Sequence, residues 1–108
     1  MDRFDLVKSL VNQKFGEVRV LIEDDGVLFC GTDVARALGY SNPQKATRDH
    51  CRCLTIRSVP HPQSKNKTID MTFIPEGDVY RLIARSKMEA AEEFEHWLFD
   101  EMLPTLRS

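Results

Sequence analysis

The sequence has no apolar run longer than about four residues, where a membrane-spanning helix needs roughly 18–20. Its first residues, Met1-Asp2-Arg3-Phe4-Asp5, carry acids where a secretory signal carries bases, and no apolar stretch follows them. Together these absences make a cytoplasmic chain with no membrane partner the expectation. Cysteine is scarce. Cys30, Cys51 and Cys53 are odd in number and two of them are one residue apart, a poor disulfide framework that suits free thiols in a reducing compartment. No Gly-rich phosphate loop, His-x-x-x-His pair or nucleophile elbow is present, so no enzyme is expected. Net positive charge is also missing: the formal charge is −2, which excludes a polycation that coats nucleic acid by bulk charge alone.

What is present is 108 residues, 42% hydrophobic and 30% charged, the composition of one globular domain spanning 1–108. A chain of this length buries roughly two thirds of its unfolded surface and needs no disulfide or metal staple. Its charge is unevenly placed. Residues 1–33 hold four bases against seven acids, and residues 71–108 hold four against eight. In residues 34–69, Arg36, Lys45, Arg48, Arg52, Arg57, Lys65 and Lys67 face one acid, Asp49. The near-neutral total therefore hides a basic middle.

Two β-branched runs, Val18–Ile22 and Val27–Cys30, flank Asp24-Asp25-Gly26 and predict a β-hairpin. The segment before it, Phe4 to Phe15, fits a short helix or a strand. Thr32 is placed to cap a helix over Asp33 to Leu38 that ends at Gly39, burying Val34 and Leu38. Asn42 as N-cap and Pro43 at the first helical position start a second helix running to His50. A short Gly-containing link between them predicts a helix-turn-helix-like corner. Alternating runs Cys53–Arg57 and Thr68–Ile74 predict a second hairpin, joined by the polar stretch Pro60–Lys67, read as an extended basic arm. Pro75 opens a helix over Glu76–Arg85. A longer one runs from Glu89 to Leu103 with Ala90, Phe94, Trp97, Leu98 and Met102 in one stripe, until Pro104 ends or kinks it. The fold class is α+β: a small mixed domain with two hairpins, a helix pair and C-terminal helices. No repeat, low-complexity tract or linker interrupts it.

Three blocks carry a family resemblance. Phe29-Cys30-Gly31-Thr32-Asp33-Val34-Ala35-Arg36-Ala37-Leu38-Gly39-Tyr40-Ser41-Asn42-Pro43 resembles the "F-x-x-x-D-V-A-x-A-L-G-Y-x-N-P" signature of the Bro-N domain, named for baculovirus Bro proteins and common in prophage antirepressors. Glu76–Lys87 is similar to its "N-E-x-G-L-Y-x-L-I-x-x-S-K" block, with Pro75 and Val79 departing from it. Ala91–Arg107 is similar to its "A-x-x-F-x-x-W-V…V-L-P-x-[IL]-R". The blocks cover about residues 17–107 in order. The resemblance implies an α+β DNA-binding module used by phages in gene regulation, typically by countering a repressor.

Lys45, Arg48 and Arg52 stand at i, i+3 and i+7, which puts them along one face of the second helix with Gln44 beside them. With Arg57, Lys65 and Lys67 from the second hairpin they form the expected contacts to double-stranded DNA, the helix entering a groove and the arm following phosphates. Asn42 is read as the cap and Gln44 as the base reader. Cys51-x-Cys53, near His50 and His61, invites a zinc reading. Structural zinc sites, however, usually leave two to four residues between cysteines, so neither metal nor cofactor is expected. Phe94, Trp97 and Tyr80 are read as core rather than base-stacking platforms. The rival to DNA contact is a protein-interaction module that binds a phage repressor through the acidic C-terminal third. A homodimer would suit paired half-sites, though no heptad pattern demands one.

Overall fold

The computed structural model describes residues 7–24, 26–61 and 63–107, with the backbone alone for Lys65 and Arg107. Strands β1 (Val7–Asn12), β2 (Gly16–Glu23) and β3 (Gly26–Cys30) form an antiparallel meander. Of the two readings of Phe4 to Phe15, the strand is the one realised over Val7–Asn12, and Phe4 to Leu6 lie outside the described residues. Leu10 sits opposite Val18 on the buried face while Lys8 and Ser9 are exposed. Asn12 Oδ1 accepts from the N–H groups of Lys14 (2.7 Å) and Phe15 (3.1 Å), and Gly16 at φ 83° completes the turn. The first predicted hairpin is β2 and β3, paired from Val20 with Phe29 to Glu23 with Gly26. Asp25 in its turn lies outside the described residues.

β4 (Thr55–His61) and β5 (Ser64–Ile74) form the second hairpin, and the sheet order is β1-β2-β3-β5-β4. The arm expected over residues 60–67 is built largely from the two strands themselves, which pair as far as His61 with Ser64 and show a register irregularity at Pro60/His61. The polar composition of residues 60–67 concealed a ladder because little in this part of the hairpin is buried, so no apolar alternation marks it. β3 pairs with β5 only at Phe29–Ile74 and Cys30–Phe73. Beyond those pairs the hairpin continues as a two-stranded ribbon.

α1 (Gly31–Ala37) leaves β3 directly. Its N-cap is Cys30, without a side-chain cap bond, rather than Thr32. The chain turns helical two residues earlier than expected, and the Thr32 hydroxyl lies against Cys30 Sγ at 3.5 Å. The other end is as expected. Gly39 has φ 85°, its N–H reaches Arg36 O, and Tyr40 N–H reaches Ala35 O, the paired bonds of a Schellman stop. α2 (Pro43–His50), α3 (Glu76–Arg85) and α4 (Ala91–Glu95) follow. After α4 the chain widens to π geometry over His96–Met102 and returns to α5 (Leu103–Arg107). Pro104 therefore does not end the helix. It has no N–H for the preceding turn, and the wider coil lies immediately before it.

The sheet separates two apolar layers. Val18, Val20, Phe29 and Ile74 pack with Val34, Leu38, Val79, Leu82, Phe94 and Leu98 on the helical side. The alternate residues Leu21, Cys30 and Phe73 cluster with Val59 on the other side. There Arg57 Nε of β4 meets Glu23 Oε2 of β2 at 2.8 Å. β3 and β5 lie between them, about 14 Å in a flat sheet. The pair ties the ribbon to β2 across this face.

Candidate nucleic-acid interface

α2 begins as the sequence dictates: Asn42 Oδ1 accepts from Lys45 N–H at 3.2 Å and Pro43 occupies the first turn. Ala46 and Thr47 are its buried residues, and Thr47 Oγ1 donates back to Pro43 O at 2.8 Å. Thr47 also sets how closely the two helices approach. A Cβ on Gly31 would stand 2.7 Å from Thr47 Cγ2, so only glycine fits at the start of α1. Gln44, Lys45, Arg48 and Asp49 are exposed.

The basic residues do not form the single stripe expected of them. Lys45 Nζ pairs with Asp49 Oδ2 at 2.6 Å, and the ammonium holds the Asp49 carboxyl below its ordinary range. Arg52 is not on the helix at all, because α2 stops at His50. Fully buried Asp78 on α3 accepts Arg52 N–H at 2.9 Å, Cys53 N–H at 2.7 Å and Arg81 Nη1 at 2.6 Å. Burial alone would raise the Asp78 carboxyl. Those three donors outweigh it and hold it below the usual carboxylate range. Arg57 is engaged with Glu23, and Arg36 with Asp33 at 3.2 Å. Arg48, Arg52 and Lys67 are exposed, and their side chains have no ion-pair partner among the described residues. The side chain of Lys65 lies outside what is described.

Arg48 and Gln44 form one wall of a cleft of about 540 Å³ between α2 and the β4–β5 ribbon. Cys30, Leu54, His61, Ile69 and Met71 also line it. Leu54 is 42% exposed and Ile69 40%. Arg19 also lines the cleft, held by Asp33, which is 1% exposed and accepts from Arg19 Nε at 2.7 Å, Nη2 at 3.0 Å and backbone N–H at 3.0 Å. Burial opposes ionisation of Asp33, but Arg19 and then Arg36 keep its carboxyl below the ordinary range. Of the expected contact residues, Gln44 and Arg48 line this cleft, and its apolar lining was not expected. Leu54 and Ile69 looked like ordinary strand residues, and only the ribbon's departure from the sheet leaves them uncovered.

Cys51 packs against the core, and burial pushes its thiol up to about 12, while Cys53 is exposed. His50 faces Tyr40 at a ring distance of 5.8 Å and His61 sits on the ribbon. No group of three or more potential metal ligands gathers among the described residues. Phe94 and Trp97 are core, as expected. Tyr80 is not: it is 40% exposed, stacks on Phe99 at 4.7 Å and donates to Glu76 Oε2 at 3.0 Å. No helix among the described residues is long and apolar enough to cross a membrane.

The family model described as the BRO family, N-terminal domain, matches residues 17–104. An uncharacterized protein of Haemophilus influenzae is 45% identical over 102 residues, which are 92% of this chain and 49% of that protein. The Bro-N domain-containing protein 201R of Invertebrate iridescent virus 6 is 26% identical over 106 residues, 81% of this chain and 25% of that protein. The chain thus spans about half the length of the first relative and a quarter of the second. No solved structure matches it.

Proposed function

The chain belongs to the BRO family, whose N-terminal domain it carries, and from that premise we propose that it is the DNA-binding domain of a phage or prophage antirepressor-like transcriptional regulator. Bro-N is a DNA-binding and regulatory domain family, not an enzyme family. One observation carries the reading for this chain. Exposed Gln44 and Arg48, neither bonded to another described side chain, stand on the wall of a cleft whose far side is the ribbon that bears Lys67. A major groove admits a helix such as α2, with Gln44 and Arg48 turned to base edges. Arg52, Lys65 and Lys67 then fall to the phosphates. Lys45 and Arg57 join them with charges already partly compensated by Asp49 and Glu23.

The test is binding to a duplex selected from a random pool, read by fluorescence anisotropy at moderate salt. Replacing Arg48, Arg52 and Lys67 together with alanine weakens binding tenfold or more. Unchanged affinity in a folded triple variant overturns the assignment.

A second reading, docking to a phage repressor, is favoured by the opposite chemistry on α3 and the π segment. There exposed Tyr80 stacks on half-buried Phe99, and burial, with Glu76, Glu95 and Asp100 adding to it, disfavours ionisation of the Tyr80 hydroxyl. Capture of a cognate repressor that survives the triple substitution, with no gel shift by the unmodified protein, selects this reading.

A further inference from the structure

We propose that the apolar lining of the α2 cleft reads thymine: Leu54 and Ile69, with Met71 in the same lining, receive thymine C5-methyl groups in the major groove beside Gln44 and Arg48. The inference rests on the DNA-binding reading above and adds to it which bases this face selects. Leu54 and Ile69, each two-fifths exposed, flank one cleft, whereas Val11 and Ile56, which are more exposed, do not line it. Exposed apolar residues are ordinary, and what sets these two apart is their place in one cleft with Gln44 and Arg48, the two polar side chains best suited to base edges.

The neighbouring charges identify the occupant as nucleic acid. Arg48 on the same wall has no ion-pair partner among the described residues, and Lys67 extends along the ribbon that forms the other wall. Asp70 also lines the cleft, with its carboxylate accepting from Ser58 Oγ at 2.6 Å. A carboxylate there repels phosphate, so the part of a duplex that can approach the cleft is a base edge, with the backbone held toward the cationic rim. In the major groove the apolar feature a base edge presents is the thymine methyl. A glutamine pairs through two bonds with adenine, and an arginine with guanine. Gln44, Leu54, Ile69 and Arg48 therefore form a matched set for a step that contains an A·T pair next to a G·C pair.

Deoxyuridine differs from thymidine only by the missing methyl, so it isolates this contact. The duplex recovered by selection with the unmodified protein is resynthesised with deoxyuridine at each thymidine in turn. At one or two positions affinity falls by about fourfold per methyl, the effect of burying one such group. Leu54→Ala and Ile69→Thr bind the thymidine duplex more weakly and lose that discrimination, while thermal melting confirms that each variant is folded. A recovered site with no thymidine sensitivity at any position overturns the methyl contact and leaves DNA binding intact. Sensitivity that persists undiminished in both variants overturns it as well. Failure to recover any preferred duplex overturns the DNA-binding reading itself, and this inference with it.

Discussion

Asp33 and Asp78 both sit in the first turn of a helix, where an acid is ordinarily explained by the helix dipole. Here each has a larger task. Asp33 joins α1 to β2 through Arg19, and Asp78 holds the chain leaving α2 through the N–H groups of Arg52 and Cys53. Both carboxyls lie below their ordinary range in the folded protein. Their stabilisation is therefore fully present above the unfolded carboxylate pKa of about 4 and is lost as pH falls through the lower native values. Urea midpoints should stay level from about pH 7 to 5 and decline below about pH 4. Asp33→Asn should cost about 2–4 kcal/mol at neutral pH and flatten the acid decline, since it leaves the Arg19 guanidinium short of its charge partner. A midpoint that matches the unmodified protein at pH 7 contradicts this role. The thiols separate in the same way. Cys53 is exposed, whereas Cys51 is raised to about 12 and Cys30 is raised by burial, so neither forms thiolate readily at pH 8. Limited alkylation followed by mass spectrometry should find the first label on Cys53, with the other two protected until the fold opens.

At the scale of elements, the α1–α2 corner depends on a single close approach. Gly31→Ala forces Cβ against the β-branched Thr47, whose Oγ1 is already committed to Pro43 O, so the clash cannot be relieved by rotating the side chain without losing that bond. The expected cost is about 1–3 kcal/mol. Removing only the offending methyl with Thr47→Ser, in the Gly31→Ala background, should recover most of it. A double-mutant cycle by urea unfolding that shows simple additivity rules out the contact. The same corner shows what the sequence discloses. The limits of α2 and the stop at Gly39 were legible because Asn42, Pro43 and Gly39 act on their own neighbours. Where Arg52 points was not. The register of i, i+3 and i+7 assumes a helix that continues, and the chain stops at His50 before its two following N–H groups are taken up by Asp78, 25 or 26 positions later in the chain. Thr32 misled for a related reason. It has the chemistry of a cap, but β3 passes into α1 without the break a cap requires. The ribbon was half legible: its hydrophobic end alternates, while its polar end has no buried face to produce alternation.

Across the whole molecule, the count of bases in residues 34–69 overstates the charge that is free to act. Lys45, Arg57 and Arg36 are already paired with Asp49, Glu23 and Asp33, which leaves Arg48, Arg52 and Lys67 among the described side chains. With the proposed contact from Lys65, four cations meet DNA without breaking a described ion pair, and log K should fall with log[salt] at a slope of about −3 to −4. The Lys45–Asp49 pair makes the relation testable in the direction of gain. Both partners are exposed, so the pair contributes little to stability, and Asp49→Asn should leave melting nearly unchanged. It should, however, release Lys45 at the edge of the proposed interface. The slope should then steepen by about 0.9, one further counterion released, and affinity at low salt should rise across specific and unrelated duplexes alike because a phosphate contact carries no base information. A slope and affinity that both stay at the unmodified values would mean that Lys45 faces away from DNA, and the approach of α2 to the groove would have to be rotated toward Gln44 and Arg48 alone.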